Sequence, residues 1–405
     1  MSLLPFKTDY LENEVFSISG KALKLTTKED IQPILEDLLK LDKVTKIDVS
    51  GNTISTEASL ALAECIKNNE KIYKNVVEVD FADLYTSRLV DEVVKSLEYL
   101  LPAFLKCHNL KIVNLSDNAF GLRTIDSLEN YIANAVHLEH LILSNNGMGP
   151  FAGERIGKAL FKLAQNKKQE KLPLLKTFIC GRNRLENGSS LYLALGLKSH
   201  GKELQTIKLY QNGIRPIGIM TLIEYGFKYC QNLEILDLQD NTFTIVASLK
   251  LAEYLPIWKD TLVELNLNDC LLKPKGSNSI LKVLNSHVFQ SLNKLKLEYN
   301  EIEQESVENY LLKALEDEKL PSLKKLELNG NRLDEDSEAV DLLQGMFEDI
   351  ELDDLEEVDS EDEEEEREDE DENEKFEEID IESLEKELSE LSVDQLSQEL
   401  SNTKI

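Results

Sequence analysis

Histidine is scarce in this chain of 405 residues, and its five copies, His108, His137, His140, His200 and His287, are scattered. No H-E-x-x-H zinc motif forms. His137 and His140 stand three apart, but they flank Leu138 and Leu141 and are expected at the surface, not on a metal. The five cysteines, Cys65, Cys107, Cys180, Cys230 and Cys270, are odd in number and share no C-x-x-C spacing. That argues against a disulfide framework or a Cys-rich zinc site and for a reducing compartment. No apolar run of about 18 residues occurs, so no membrane span is expected. Met1 to Asn13 has early acidic residues and no apolar core, so no secretory signal is expected. A G-x-S-x-G elbow is missing. Gly147-Met-Gly149-Pro-Phe-Ala-Gly153 places its third glycine one residue too late for a dinucleotide fingerprint. Gly153-Glu-Arg-Ile-Gly157-Lys158 is too short for a P-loop and lacks its Ser or Thr. The sequence therefore offers no self-sufficient active site.

Basic charge is also in short supply: 45 Lys and Arg stand against 77 Asp and Glu, for a formal charge of −32. Residues 348–405 hold 29 acidic and 4 basic residues, which is −25 and leaves only −7 for the rest. This balance argues against binding to nucleic acid or to anionic membranes, whose phosphates attract Lys and Arg. Glu361–Glu366 and Glu368–Glu372 are like-charge blocks with little to bury, so 348–405 is expected as an acidic, largely disordered tail. It is read as solvating, or as a docking site for a basic partner. Near its end Leu384, Leu388, Leu391 and Val393 follow spacings of 4, 3 and 2, similar to a leucine-rich nuclear export signal. A short amphipathic helix packing on the body or on another chain fits the same spacing.

What the sequence does have is a repeat. The template L-x-x-L-x-L-x-x-N-x-L fits Leu110 to Phe120 and recurs down the chain, with Asn or its substitute at 52, 84, 118, 146, 183, 212, 241, 270, 300 and 331. Position 84 is Leu and position 270 is Cys; the others are Asn. Most steps fall in the leucine-rich-repeat range of about 20–29 residues or slightly beyond it. L-x-L alternation puts two apolar side chains on one face of a short strand and the residue between them on the other. The recurring Asn both donates and accepts, so it can satisfy backbone groups at the turn leaving each strand. Between copies Ile156, Ala159, Leu160 and Leu163 follow helical spacing, and Thr56 to Ile66 and Ser306 to Leu315 are further helices. The expected fold is an α/β leucine-rich-repeat solenoid over residues 1–347, a ribonuclease-inhibitor-like horseshoe or crescent with a parallel sheet inside and helices outside.

Such a surface binds macromolecules. The concave position of L-x-L holds Asn114, Ile142, Ile179, Lys208, Asp237, Asn266, Lys296 and Glu327. The position just before the ladder Asn holds Asp117, Asn145, Arg182, Gln211, Asp240, Asp269, Tyr299 and Gly330. Asn146 is needed by the ladder, whereas Asn145 is free for a partner.

Five runs go beyond the generic template: Phe81-Ala-Asp-Leu-Tyr-Thr-Ser-Arg88, Leu115-Ser-Asp-Asn-Ala-Phe-Gly121, Asn145-Asn-Gly-Met-Gly-Pro150, Ile179-Cys-Gly-Arg-Asn-Arg-Leu-Glu-Asn-Gly188 and Leu236-Asp-Leu-Gln-Asp-Asn-Thr-Phe-Thr244. With the acidic tail, they resemble the fungal Ran GTPase-activating proteins over nearly the whole chain. The resemblance implies a cytoplasmic activator of GTP hydrolysis by Ran, shuttling or at the nuclear envelope, that maintains the gradient used in nuclear transport. It implies no cofactor of the chain's own, with Mg and GTP carried by Ran. The implied partners are Ran-GTP, a Ran-binding protein and an export receptor. By the same resemblance Asn145 holds Ran's own catalytic glutamine, without an arginine finger, and Arg88 binds Ran. Asp83, Asp117, Arg182 and Asp240 complete the expected partner-binding set. Two alternatives stand beside this. Arg182 or Arg184 could be a finger, although both are expected to be occupied as rim charges. The chain could also be an inhibitor or scaffold, like ribonuclease inhibitor, that binds without turnover.

Overall fold

The computed structural model describes residues 4–355, 376 and 379–390. Eleven three-residue strands form one parallel sheet in strict chain order. They are Val15–Ser17, Lys46–Asp48, Glu78–Asp80, Ile112–Asn114, His140–Ile142, Thr177–Ile179, Thr206–Lys208, Ile235–Asp237, Glu264–Asn266, Lys294–Lys296 and Lys325–Glu327. The register aligns the central residue of every strand, so that Val79, Val113, Leu141, Phe178, Ile207, Leu236, Leu265, Leu295 and Leu326 make one buried column. Their neighbours on each strand face the concave side, as a period of two requires. Helices cover the convex side, among them Thr56–Asn68, Val90–Leu105, Gly149–Glu170 and Glu186–His200. The expected helix near Ser306 to Leu315 is present, with a π-helical stretch at Val307–Leu312.

The asparagine ladder explains why every strand ends alike. Asn241 donates Nδ2 to Leu209 O at 3.0 Å and Leu238 O at 2.8 Å, and its Oδ1 accepts from Ile214 N at 3.0 Å. Asn118, Asn146, Asn183, Asn212 and Asn331 repeat the pattern on their own neighbours. Cys270, in the same slot, directs Sγ to Leu238 O at 3.3 Å, and its backbone N–H donates to Asn300 Oδ1. Asn241→Ala is expected to lower stability by roughly 1–3 kcal/mol, because it orphans backbone groups of two repeats at once. Denaturant midpoints read this, and an unchanged midpoint would remove the ladder role of Asn241.

The residue before the ladder slot has a left-handed backbone in repeat after repeat. φ is 48° at Asp83, 61° at Asp117, 56° at Asn145, 57° at Arg182, 52° at Gln211, 54° at Asp240 and 66° at Gly330. Asp, Asn and Gly tolerate this region best, because short polar side chains bond locally and glycine has no Cβ. By the repeat template alone this row is free for a partner. Part of its composition instead answers a backbone requirement.

The ends of the solenoid also differ from expectation. The boundary expected at 347 falls short of where packing stops. Leu352 is buried, Asn329 exchanges side-chain bonds with Asp353 and with Asp354 N, and Gly330 N donates to Asp354 O at 2.6 Å. Within the tail, Ile381–Glu390 is a helix that lies on the convex side. Its Leu388 is buried against Phe161 and Leu195, with Leu384, Ile381 and Tyr192 packed around it. Glu385 pairs with Lys198 at 2.8 Å, and Phe376 stacks on Tyr225. Two of the four export-like positions thus pack on the body, while Leu391 and Val393 lie outside the described residues.

Candidate functional site

Strands that enter the sheet in register deliver their trailing turns to one rim. There Asp117, Asn145 and Arg182, from three successive repeats, line a concave-side cleft of about 650 Å³. Asn145 and Asp117 are exposed and bonded to each other, with Asn145 Nδ2 donating to Asp117 Oδ1 at 2.7 Å. Backbone bonds to the following repeat fix both positions: Asp117 N donates to Ser144 O, and Asn145 N to Gly181 O. Gly181 leaves room for the Tyr210 ring, which would stand 2.4 Å from an added Cβ. Tyr210 in turn directs its hydroxyl to Ser144 at 3.2 Å, bracing the strand end beneath Asn145.

Part of the otherwise polar cleft is an apolar patch. Ile112, Ile142 and Ile179 form a small cluster with Leu4 and Tyr210. Ile142 and Ile179, expected as accessible concave positions, are buried. The cover is the N-terminal segment, whose Leu4 and Phe6 cross the concave face, with the Phe6 ring edge-on to His140 at 4.9 Å. His140 bonds Thr177 Oγ1 at 2.9 Å, and burial pushes its pKa down to about 4. It is a partly buried residue under this segment, not the surface histidine expected. The segment carries no repeat pattern, so no sequence signal pointed to it.

The other expected residues are placed differently. Asp83 is exposed and accepts from Thr86 Oγ1. Asp240 accepts from Gln211 Nε2 at 2.7 Å. Arg88 was expected as a docking charge, yet its side chain is only 11% exposed. Its guanidinium donates to Thr53 Oγ1, Leu25 O and Thr26 Oγ1 and lies 3.9 Å from Glu92. Arg88 thus ties together the turns of two earlier repeats. Arg182 and Arg184 are the reverse case. Expected to be occupied as rim charges, both are exposed and make no side-chain hydrogen bond or ion pair among the described residues.

Acidic groups continue down the concave face. Burial raises the Asp80 carboxyl above its ordinary range, with nearby Asp48 adding to the shift, and burial raises Asp237 to about 6. For Asp237 the folded chain then holds a proton more tightly than the unfolded chain does. Its contribution to stability therefore falls as pH rises from about 4 to about 6, and the loss persists above that window. Asp237→Asn is expected to raise stability at pH 8 by up to about 2 kcal/mol and to change little near pH 4. Thermal melts at the two pH values check this; equal effects at both would exclude a titrating Asp237.

A rim of polar side chains on a parallel-sheet solenoid defines a leucine-rich-repeat recognition module. The Leucine Rich repeat family model matches residues 106–123 and 229–244. The chain is 66% identical over 352 residues to Ran GTPase-activating protein 1 of Saccharomyces cerevisiae, covering 87% of this chain and 86% of that protein. It is 39% identical over 210 residues to Ran GTPase-activating protein 2 of Caenorhabditis elegans, covering 51% of this chain and 21% of that one. With Ran GTPase-activating protein of Drosophila melanogaster the identity is 31% over 228 residues, covering 55% and 37%. The chain belongs to the Ran GTPase-activating protein family.

Proposed function

We propose that the chain accelerates GTP hydrolysis by Ran, with Asn145 holding the glutamine by which Ran orients the attacking water. The observation that carries the activity is the 66% identity to the yeast activator across nearly the full length of both chains. The local geometry supports the mechanism. Phosphoryl transfer in small GTPases is governed by positioning and electrostatics, and a loosely held glutamine leaves it slow. Asn145 offers a neutral amide on a backbone fixed by the neighbouring repeat, and it brings no charge that must shed water. Ran brings the nucleotide and Mg. Placed in the cytoplasm, such an activator keeps Ran there in its GDP form. Arg88 acts by preorganising the rim, since its donors are already engaged.

One observation favours a second mechanism. Arg182 lines the same cleft and has no local ion pair, so it is available to reach a phosphate. The activity is tested by mixing the protein with GTP-loaded Ran at substoichiometric ratio and following phosphate release. Many phosphates released per molecule support activation; release that stops at one equivalent, or binding with no release, overturns it. Single-turnover rates of Asn145→Ala and Arg182→Ala at saturating protein separate the mechanisms. If only Arg182→Ala loses the rate while still binding, the finger replaces the asparagine.

A further inference from the structure

We propose that Asp117 is a positioning residue for Asn145, fixing which end of the Asn145 amide meets the partner. The proposal rests on the reading of Asn145 as the group that holds Ran's glutamine. A primary amide has two ends of nearly equal shape and opposite hydrogen-bonding character. An ionised carboxylate only accepts. The 2.7 Å contact between Asp117 Oδ1 and Asn145 therefore has to be made by Nδ2. Turned about its last bond, the amide would set Oδ1 against the carboxylate, an unfavourable meeting of two acceptors. Asp117 so selects one of two orientations and leaves Asn145 Oδ1 as the acceptor offered outward. That oxygen makes no hydrogen bond among the described residues.

The chosen end matters for the reaction. The glutamine needs its carbonyl to accept a hydrogen bond from the attacking water. Asn145 Oδ1 accepts from the glutamine's NH2 and leaves that carbonyl to the water. Reversed, Asn145 Nδ2 would donate to the same carbonyl and compete with the water. The backbone keeps the pair in reach, because Asp117 and Asn145 occupy equivalent left-handed positions in adjacent repeats.

The test measures single-turnover hydrolysis by GTP-loaded Ran over a range of protein concentration, giving a maximal rate and a half-saturating concentration. Asp117→Gly removes the carboxylate without backbone strain, since the same row carries Gly330 at φ 66°. Its maximal rate is expected to fall about tenfold, in line with the loss of one charge-assisted bond, with half-saturation changed less than about twofold. Asp117→Asn, an acceptor of the same shape, recovers part of the rate. Asp269→Gly, the same change in the same row, leaves the rate alone and controls for the backbone. In the Asn145→Ala background Asp117→Gly has no further effect on the maximal rate. An unchanged rate, a raised half-saturation with the maximal rate intact, or an undiminished further loss in the double variant overturns the positioning role. The Asn145→Ala single variant separates the two layers. If it lowers the maximal rate and Asp117→Gly does not, positioning alone fails. If it leaves the rate intact, the reading of Asn145 fails and takes the positioning role with it.

Discussion

Asn145→Ala is expected to lower the maximal rate of GTP hydrolysis by Ran about a hundredfold or more, while the complex still forms. Removing one preorganised hydrogen-bonding group from a transition state has an effect of about that size. The loss falls on the rate and not on binding, because the amide acts on a glutamine that is ordered only as the reaction proceeds. The fold is expected to survive. Asn145 lies outside the ladder, its side chain bonds only Asp117 among the described residues, and its backbone N–H keeps its bond to Gly181 O. Ala in the left-handed region costs about 1 kcal/mol, which a solenoid of this size absorbs. Asn145→Gly avoids even that cost and should show the same kinetic loss. Single-turnover rates at saturating protein, with binding measured on the same variants, decide the matter. A variant that binds less tightly but turns over at the full rate would make Asn145 a docking contact.

The largest structural effect is expected at Gly157. An added Cβ there would stand 2.3 Å from Tyr192 C and 2.4 Å from Leu193 N, which are backbone atoms of the next helix. Side chains rotate out of the way, but two helix backbones have to move apart together. The same crossing uses Gly196, whose added Cβ would meet Gly157 O at 2.6 Å, and Gly153, where it would meet Leu185 and Ser189 at 2.7 Å. Gly157→Ala is therefore expected to destabilise by about 3 kcal/mol or more, at the upper end for overpacked sites. Gly345→Ala is the control. It sits in the helix Glu338–Met346 with nothing within 4 Å of the added atom, and is expected to stabilise by roughly 0.5–1 kcal/mol. Urea midpoints of both variants check the pair. A tolerated Gly157→Ala would show that the two helices separate freely.

These glycines show how far the sequence could be read. Gly153 and Gly157 stand four apart on one helical face, and the first comparison they invite is with phosphate loops. Both lie inside the helix Gly149–Glu170, and their use depends on a helix that begins at Glu186 and cannot be found by looking at residues 147–158 alone. The strands and the ladder were legible because both are written into a period that repeats ten times. The left-handed row was legible in principle. Asp83, Asp117, Asn145, Asp240, Asp269 and Gly330 are residue types that favour φ above zero, and the shared offset was visible. Arg88 was not legible, because its partners Thr53 and Leu25 with Thr26 lie one and two turns of the solenoid away. Leu4 and Phe6 were not either, since a segment outside the repeat announces no register. Nothing in its spacing distinguishes His200 from the other histidines. It is fully buried, accepts from Leu175 N and bonds Leu160 O, and burial pushes its pKa down to about 3.

A parallel sheet built by repetition carries no internal instruction to stop, and its last strand is a template for whatever chain arrives next. Just after Lys325–Glu327, Gly330 N finds in Asp354 O the kind of acceptor that a following repeat supplies elsewhere, as Gly181 O does for Asn145 N. Asp354 O accepts from Gly330 N, Asp354 Oδ2 accepts from Tyr299 Oη, and Asp353 holds the Asn329 amide. The turn that leaves the last strand is thus closed by the chain itself, and a run of like charge follows in sequence. A protein cut at 347 is expected to keep its repeats but lose these closing bonds, and light scattering across a range of concentration reads whether its bared end then associates.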